Sequence, residues 1–117
     1  MDFSKHSPKT LEEAAKLIVD NLQPEEREYI QKEGTGMAHH GFGTAMRNCW
    51  GLWHDSELAQ HFKTVYGLAH ADDMSGMILA SVEAQVKGTA FEPNVAAARY
   101  KIYWRNMKVD PLTQQEI

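Results

Sequence analysis

The sequence predicts an all-α fold, a compact bundle of about five short helices followed by a C-terminal extension. Three observations lead to it. Apolar residues recur every three or four positions, as in Leu11, Ala14, Ala15, Ile18 and Leu22. Helix start and stop signals succeed one another along the chain, from Thr10 and Pro24 to Gly34, Gly67 and Gly88. Before residue 90 no stretch alternates apolar and polar residues between hairpin turns, so no sheet is expected there.

The first helix opens at a capping box, Thr10-Leu11-Glu12-Glu13, with Glu12, Glu13, Lys16 and Asp20 on its outer side. Pro24 fits the first position of a second helix, Glu25 and Glu26 complement its positive end, and Gly34 stops it. A third helix is expected from Met37 to Trp50, breaking at Gly51. The fourth takes Asp55 as its cap, carries Leu58, Ala59, Phe62, Val65 and Tyr66 on one face, and ends at Gly67. The fifth opens at Ala71-Asp72-Asp73 and runs to Lys87, with Gly88 as its stop. Beyond it, Pro93-Asn94 can cap a sixth helix from Val95 to Lys108. The same residues also fit a strand, because Ala98, Tyr100, Ile102 and Trp104 alternate with Arg99, Lys101, Tyr103 and Arg105. The alanine run at 96–98 favours the helix. The expected organisation is an N-terminal arm (1–9), a helical domain (10–88) and an aromatic, basic extension (89–117).

A length of 117 residues with 43% hydrophobic content suits one domain with a modest core. The longest apolar runs, such as Met77-Ile78-Leu79-Ala80, are too short to span a bilayer, and the first ten residues lack the apolar stretch of a secretion signal. The single cysteine, Cys49, forms no internal disulfide, so the cytoplasm is the expected compartment. Net charge is −4, made of −6 over residues 1–94 and +2 over residues 95–117. An acidic body offers no positive field for general nucleic-acid binding. Only the tail, through Arg99, Lys101, Arg105 and Lys108, could contact a strand.

The stretch from His39 to Trp53 is the densest in chemistry-bearing side chains. On a helical wheel of about 100° per residue, Phe42, Ala45, Met46, Cys49, Trp50 and Trp53 form a core arc that includes His39. His40 and Arg47 lie on its polar flank, with Asn48 next to Arg47. Gly43 sits between His39 and Arg47 and opens a notch beside both, although a helical glycine costs about 1 kcal/mol against alanine. The functional reading is a pocket in which His39 and Arg47 hold an anionic group. The structural reading is a close helix approach, with His39 bonded to a backbone group or to Asp72.

A second cluster, His70, Asp72 and Asp73, opens the fifth helix. One aspartate is expected to cap that helix and the other to pair with Arg47. His39 and His70 with Asp72 or Asp73 have the N/O chemistry of a zinc or manganese site, but no His-x3-His or Glu-x-x-His spacing supports one, and neither a metal nor another cofactor is expected. Cys49 on the apolar arc should be inert. Ser75 and Ser81 have no adjacent base, and Gly41-Phe42-Gly43 follows no strand and lacks the lysine of a phosphate loop, so no catalytic residue is assigned.

Two further features concern partners. Gly76, Ala80 and Ala84 make a row of small residues suited to an internal helix crossing or to a homodimer contact. In the extension, Tyr100, Tyr103, Trp104, Arg105 and Met107 supply the side-chain types enriched in protein interfaces. The plainer alternative is that this aromatic face docks on the domain's own core.

Several of these pieces form a pattern over about residues 10–87: Leu11-Glu12-Glu13-Ala14 with Leu17-Ile18, His39-x-Gly41-x-Gly43, Arg47-Asn48, Gly51-Leu52-Trp53, and His70-x-Asp72-Asp73 with Met77-Ile78. In them the chain resembles a family of small, uncharacterised helical domains of bacteria and bacteriophages. The resemblance implies a shared helical fold and no activity. Thr44 and Ala45 depart from the bulky apolar residues that the family carries there, and the segment after Gly88 looks like an addition.

The expected function is that of a non-enzymatic binding or regulatory protein acting through a protein contact, as a small homo-oligomer. With the resemblance, a bacterial or phage accessory protein that blocks or sequesters a host factor in the cytoplasm is the leading form. The alternative is binding or hydrolysis of a small, nucleotide-like anion by His39, Arg47 and Asp72.

Overall fold

Helix α5, Ala71–Lys87, is the element on which the others are laid. Met74, Met77, Ile78, Leu79 and Val82 are all fully buried along it, and a helix that is apolar nearly all round belongs at the centre of a bundle. A computed structural model describes residues 1–117 and shows the all-α fold, with six α-helices and no strand. Around α5 pack α1 (Leu11–Asp20), α2 (Pro24–Glu33), α3 (Phe42–Cys49) and α6 (Pro93–Asn106), while α4 (Glu57–His61) continues as a wider π turn over Phe62–Tyr66. None of the helices is long and apolar enough to cross a membrane.

The terminal signals operate as local chemistry requires. Thr10 Oγ1 accepts from the Glu13 amide at 3.1 Å, and Glu13 reaches back to the Lys9 amide at 2.7 Å. Pro24 opens α2, and Gly34 ends it with φ 78°. Gly67 and Gly88 close the next helices in the left-handed region, where a side chain would be strained.

Four expectations are corrected. The third helix is not continuous from Met37 to Trp50: a 3-10 turn at Gly36–His39 is separated from α3 by His40 and Gly41, whose backbone (φ −96°, ψ −83°) lies outside the helical basin. Three glycines within eight residues make that break inexpensive. At its other end α3 stops at Cys49 and Gly51 adopts φ 65°, so Trp53 falls off the wheel and is exposed while Leu52 takes the core position; Cys49 is exposed as well. Helix α4 is capped by Ser56, whose Oγ accepts from the Ala59 amide at 3.2 Å, rather than by Asp55, which pairs with Lys63 at 2.8 Å. The π turn widens the helix after His61, so Phe62 and Tyr66 stay buried but Val65 rotates out to 55% exposure.

Both ends of the chain are fastened down. Phe3 packs on Phe42 and Trp50, and the Trp50 indole donates to the Phe3 carbonyl at 2.9 Å. The segment after Gly88 is helix α6, with Pro93 in its first turn behind Glu92, and it ends at Asn106 rather than Lys108. Ala97 is buried against the body, and Tyr100 and Trp104 are directed the same way.

Candidate functional site

Arg47 projects from the last turn of α3 and its guanidinium is held by four groups. Nε faces Asp72 Oδ1 at 3.3 Å, Nη1 donates to Ser75 Oγ at 2.8 Å, and Nη2 donates to the His39 carbonyl at 3.3 Å and to Thr44 Oγ1 at 3.2 Å. Ser75 in turn donates to the Asp72 carbonyl at 3.1 Å, which locks the hydroxyl as an acceptor for the arginine. The notch at Gly43 exists, and Arg47 fills it: a Cβ at residue 43 would stand 2.9 Å from Nη1. An arginine so engaged clamps α3 to the start of α5 and has few donors left for an external anion.

The two aspartates of α5 have roles other than capping. His70 caps the helix, its Nδ1 accepting from the Asp72 amide at 3.1 Å. Asp72 faces Arg47. Asp73 is buried, only 7% exposed, and its Oδ2 accepts the indole N–H of Trp104 at 2.7 Å. Burial pushes the Asp73 carboxyl above the usual aspartate range, with the Asp72 charge adding to it against the opposing pull of the Trp104 bond and His70. The two carboxylates thus join three helices at one corner of the molecule.

Aromatic rings complete that corner. The His70 ring lies between Trp104, at 5.4 Å and 31°, and the edge of Trp53, at 5.6 Å and 74°. Tyr103 meets Trp104 edge-on at 5.2 Å. Between α5 and α6 this leaves an open cleft of about 490 Å³, bordered by His70, Asp72, Asp73, Tyr100, Tyr103, Trp104 and Arg99.

The candidates therefore fall into two groups. Arg47, the His39 backbone, Gly43 and Asp72 meet in the clamp; His70, Asp72 and Asp73 meet the tail residues Tyr100, Tyr103 and Trp104 at the cleft. His40 and Asn48 are exposed and lie outside both. No three His, Cys, Asp or Glu side chains stand together as metal ligands would. The tail face divides: Tyr100 and Trp104 turn inward, whereas Tyr103, Arg105 and Met107 remain exposed. Gly76 lies under the Tyr100 hydroxyl and 3.5 Å (as a Cβ) from His39 Cε1, so at that position the close approach is an internal one. Ala80 is half-buried and Ala84 buried.

One surface was not foreseen from the sequence. Between α2 and α3 runs an apolar cleft of about 390 Å³ over Tyr29, Ile30, Met37, Ala38 and Phe42, with Glu25 and Glu26 on its rim. Met37, in the 3-10 turn before α3, stands at this cleft with 71% exposure.

Comparison with known proteins places the chain in a family. A family model described as Domain of unknown function (DUF6794) matches residues 7–85, and the chain belongs to that family. The match ends before α6 begins. No curated protein and no solved structure matches the chain.

Proposed function

We propose that this chain is a non-enzymatic binding protein of bacterial or phage origin that acts through a protein contact made by the outward face of α6. The observation that carries the reading is the exposure of large apolar side chains there. Val95, Ile102 and Tyr103 on α6 are 45%, 56% and 55% exposed and Met107 at its C-terminal cap is 58% exposed, while the inner side of the helix is already docked. Arg99 and Arg105 flank them, and aromatic, Met and Arg side chains together are the composition of interface hot spots. The basic flank calls for an acidic partner surface. That α6 lies beyond the matched family region makes it the natural seat of a function particular to this chain. Blocking or sequestering a host factor in the cytoplasm is the form of action that suits a small protein with such a face.

One further observation argues against an anion site at the clamp. Arg47 and Ser75 are tied to each other and to Asp72 within the chain. A second copy of the chain suits the Gly76 row less well than a distinct partner suits α6, because Tyr100 already occupies the space over Gly76.

The test uses the double variant Tyr103→Ser/Met107→Ser. Both side chains are exposed, so stability should stay within about 0.5 kcal/mol of the wild type. Co-purification of the partner from the cells that naturally make the protein should fall at least about tenfold, a loss that truncating two anchor residues readily produces. Retention of the complex at wild-type yield would remove α6 as the contact.

A further inference from the structure

We propose that the cleft between the first turn of α5 and helix α6 binds a small zwitterion of the amino-acid type, its ammonium on Asp73 and Asp72, its carboxylate on Arg99. The inference does not rest on the protein contact above, although Tyr103 and Arg99 border the cleft as well as that outward face.

The geometry begins with two opposite charges that share one cavity and do not meet. Asp73 is more than nine-tenths buried, yet it has no ion pair; its single partner is the Trp104 indole on Oδ2, and Oδ1 receives no hydrogen bond. Arg99 borders the same cleft, is exposed, and makes neither an ion pair nor a side-chain hydrogen bond. A carboxylate largely withdrawn from water without a counter-cation is held at a cost, and its Oδ1, unbonded within the chain, is not sealed from solvent. An ammonium group entering the cleft would supply the missing cation and donate to Oδ1. Asp72, mostly exposed and already facing Arg47 through Oδ1, adds a second negative charge at the same end.

The walls select for the same chemistry. Trp104 and the Tyr103 beside it present aromatic surface to the cavity, and aromatic faces attract an ammonium by cation–π interaction. The guanidinium of Arg99 is built to take a carboxylate through two parallel N–H bonds. A lone cation would meet Arg99 as a like charge, and a lone anion would meet Asp72 and Asp73. A molecule carrying both charges satisfies both ends. The cleft volume of about 490 Å³ leaves room for a side chain between them.

The experiment is a titration of the full-length, ¹⁵N-labelled protein with the standard amino acids, followed at the indole cross-peak of Trp104. That proton is bonded to Asp73 and reports directly on its environment. At least one amino acid should move the peak saturably, while its N-acetyl derivative and its methyl ester, which each lack one charge, bind at least about tenfold more weakly. Arg99→Gln, a change at an exposed position, should weaken the amino acid about tenfold and leave the methyl ester unaffected. The proposal fails if no amino acid moves the Trp104 peak. It fails equally if the N-acetyl or ester form binds as well as the parent, which would point to one charge alone, or if Arg99→Gln leaves the affinity unchanged.

Discussion

The indole nitrogen of Trp104 donates to Asp73 Oδ2 across 2.7 Å, fastening the C-terminal helix to the first turn of the central one. The carboxylate that accepts this bond is buried and has no other partner, so the bond carries more weight than its single contact suggests.

Trp104→Phe keeps most of the ring packing and deletes the donor. It should lower unfolding free energy at neutral pH by about 1–3 kcal/mol, because Asp73 is left unsatisfied. Asp73→Asn supplies a neutral acceptor, so in that background the same substitution should cost measurably less. Urea titration of the four proteins of this cycle gives the coupling.

Stability should also follow the protonation of Asp73. Its folded-state pKa is raised above 3.8 by burial, so the native state holds the proton more tightly than the unfolded chain. The contribution of this group is therefore most favourable at and below the ordinary aspartate value and declines as pH rises through the raised one. Asp73→Asn should abolish that decline, and the difference between the two pH–stability curves should grow with pH across this window. A curve unchanged by the substitution would place the burial cost elsewhere.

Gly76 is the position where helix propensity and packing oppose each other. Alanine would gain about 1 kcal/mol of propensity, but its Cβ would collide with the Tyr100 hydroxyl. Gly76→Ala should therefore destabilise the wild type by about 1 kcal/mol or more, as overpacking commonly does. In a Tyr100→Phe background, where the offending oxygen is gone, the same change should become neutral or stabilising. Thermal melts of the single and double variants decide the sign.

Arg47→Ala removes four contacts of one guanidinium and should cost about 1.5–3 kcal/mol, the range for hydrogen bonds to a charged group. Arg47→Lys should recover only part of this, since an ammonium can face Asp72 but lacks the fork that reaches Ser75 and Thr44 as well. Equal stability of the lysine and arginine forms, read by chemical denaturation, would show that charge alone matters there.

Much of this was legible in the residues. Thr10 with Glu13, Pro24, Gly34, Gly67 and Gly88 mark real helix ends, because capping is short-range chemistry between neighbours in sequence. That one of the two aspartates would pair with Arg47 was expected from their charge, and Asp72 is the one that does. What escaped was whatever depends on a bend. The end of α3 at Cys49 with the left-handed Gly51 takes Trp53 off the helical wheel, and the π turn after His61 shifts the register of the residues that follow, which is why Trp53 and Val65 face solvent instead of the core. The division of the tail was hidden for a different reason: Tyr100 and Trp104 are four positions apart and share the inward face, Tyr103 lies one position round and faces out, and Met107 sits past the last residue of α6, at its cap. Nor could periodicity show that the helix cap is His70 and that Asp73 is free to hold Trp104, since aspartate is the commoner cap.

The outward face of α6 can be examined most directly by placing a photo-crosslinking amino acid at residue 103 and, as a control of matched 55% exposure, at residue 65. In the cells that make the protein, irradiation should yield one dominant protein adduct from position 103 and none of that mass from position 65. Equal capture at both positions, or an adduct only from 65, would contradict a contact made by this helix.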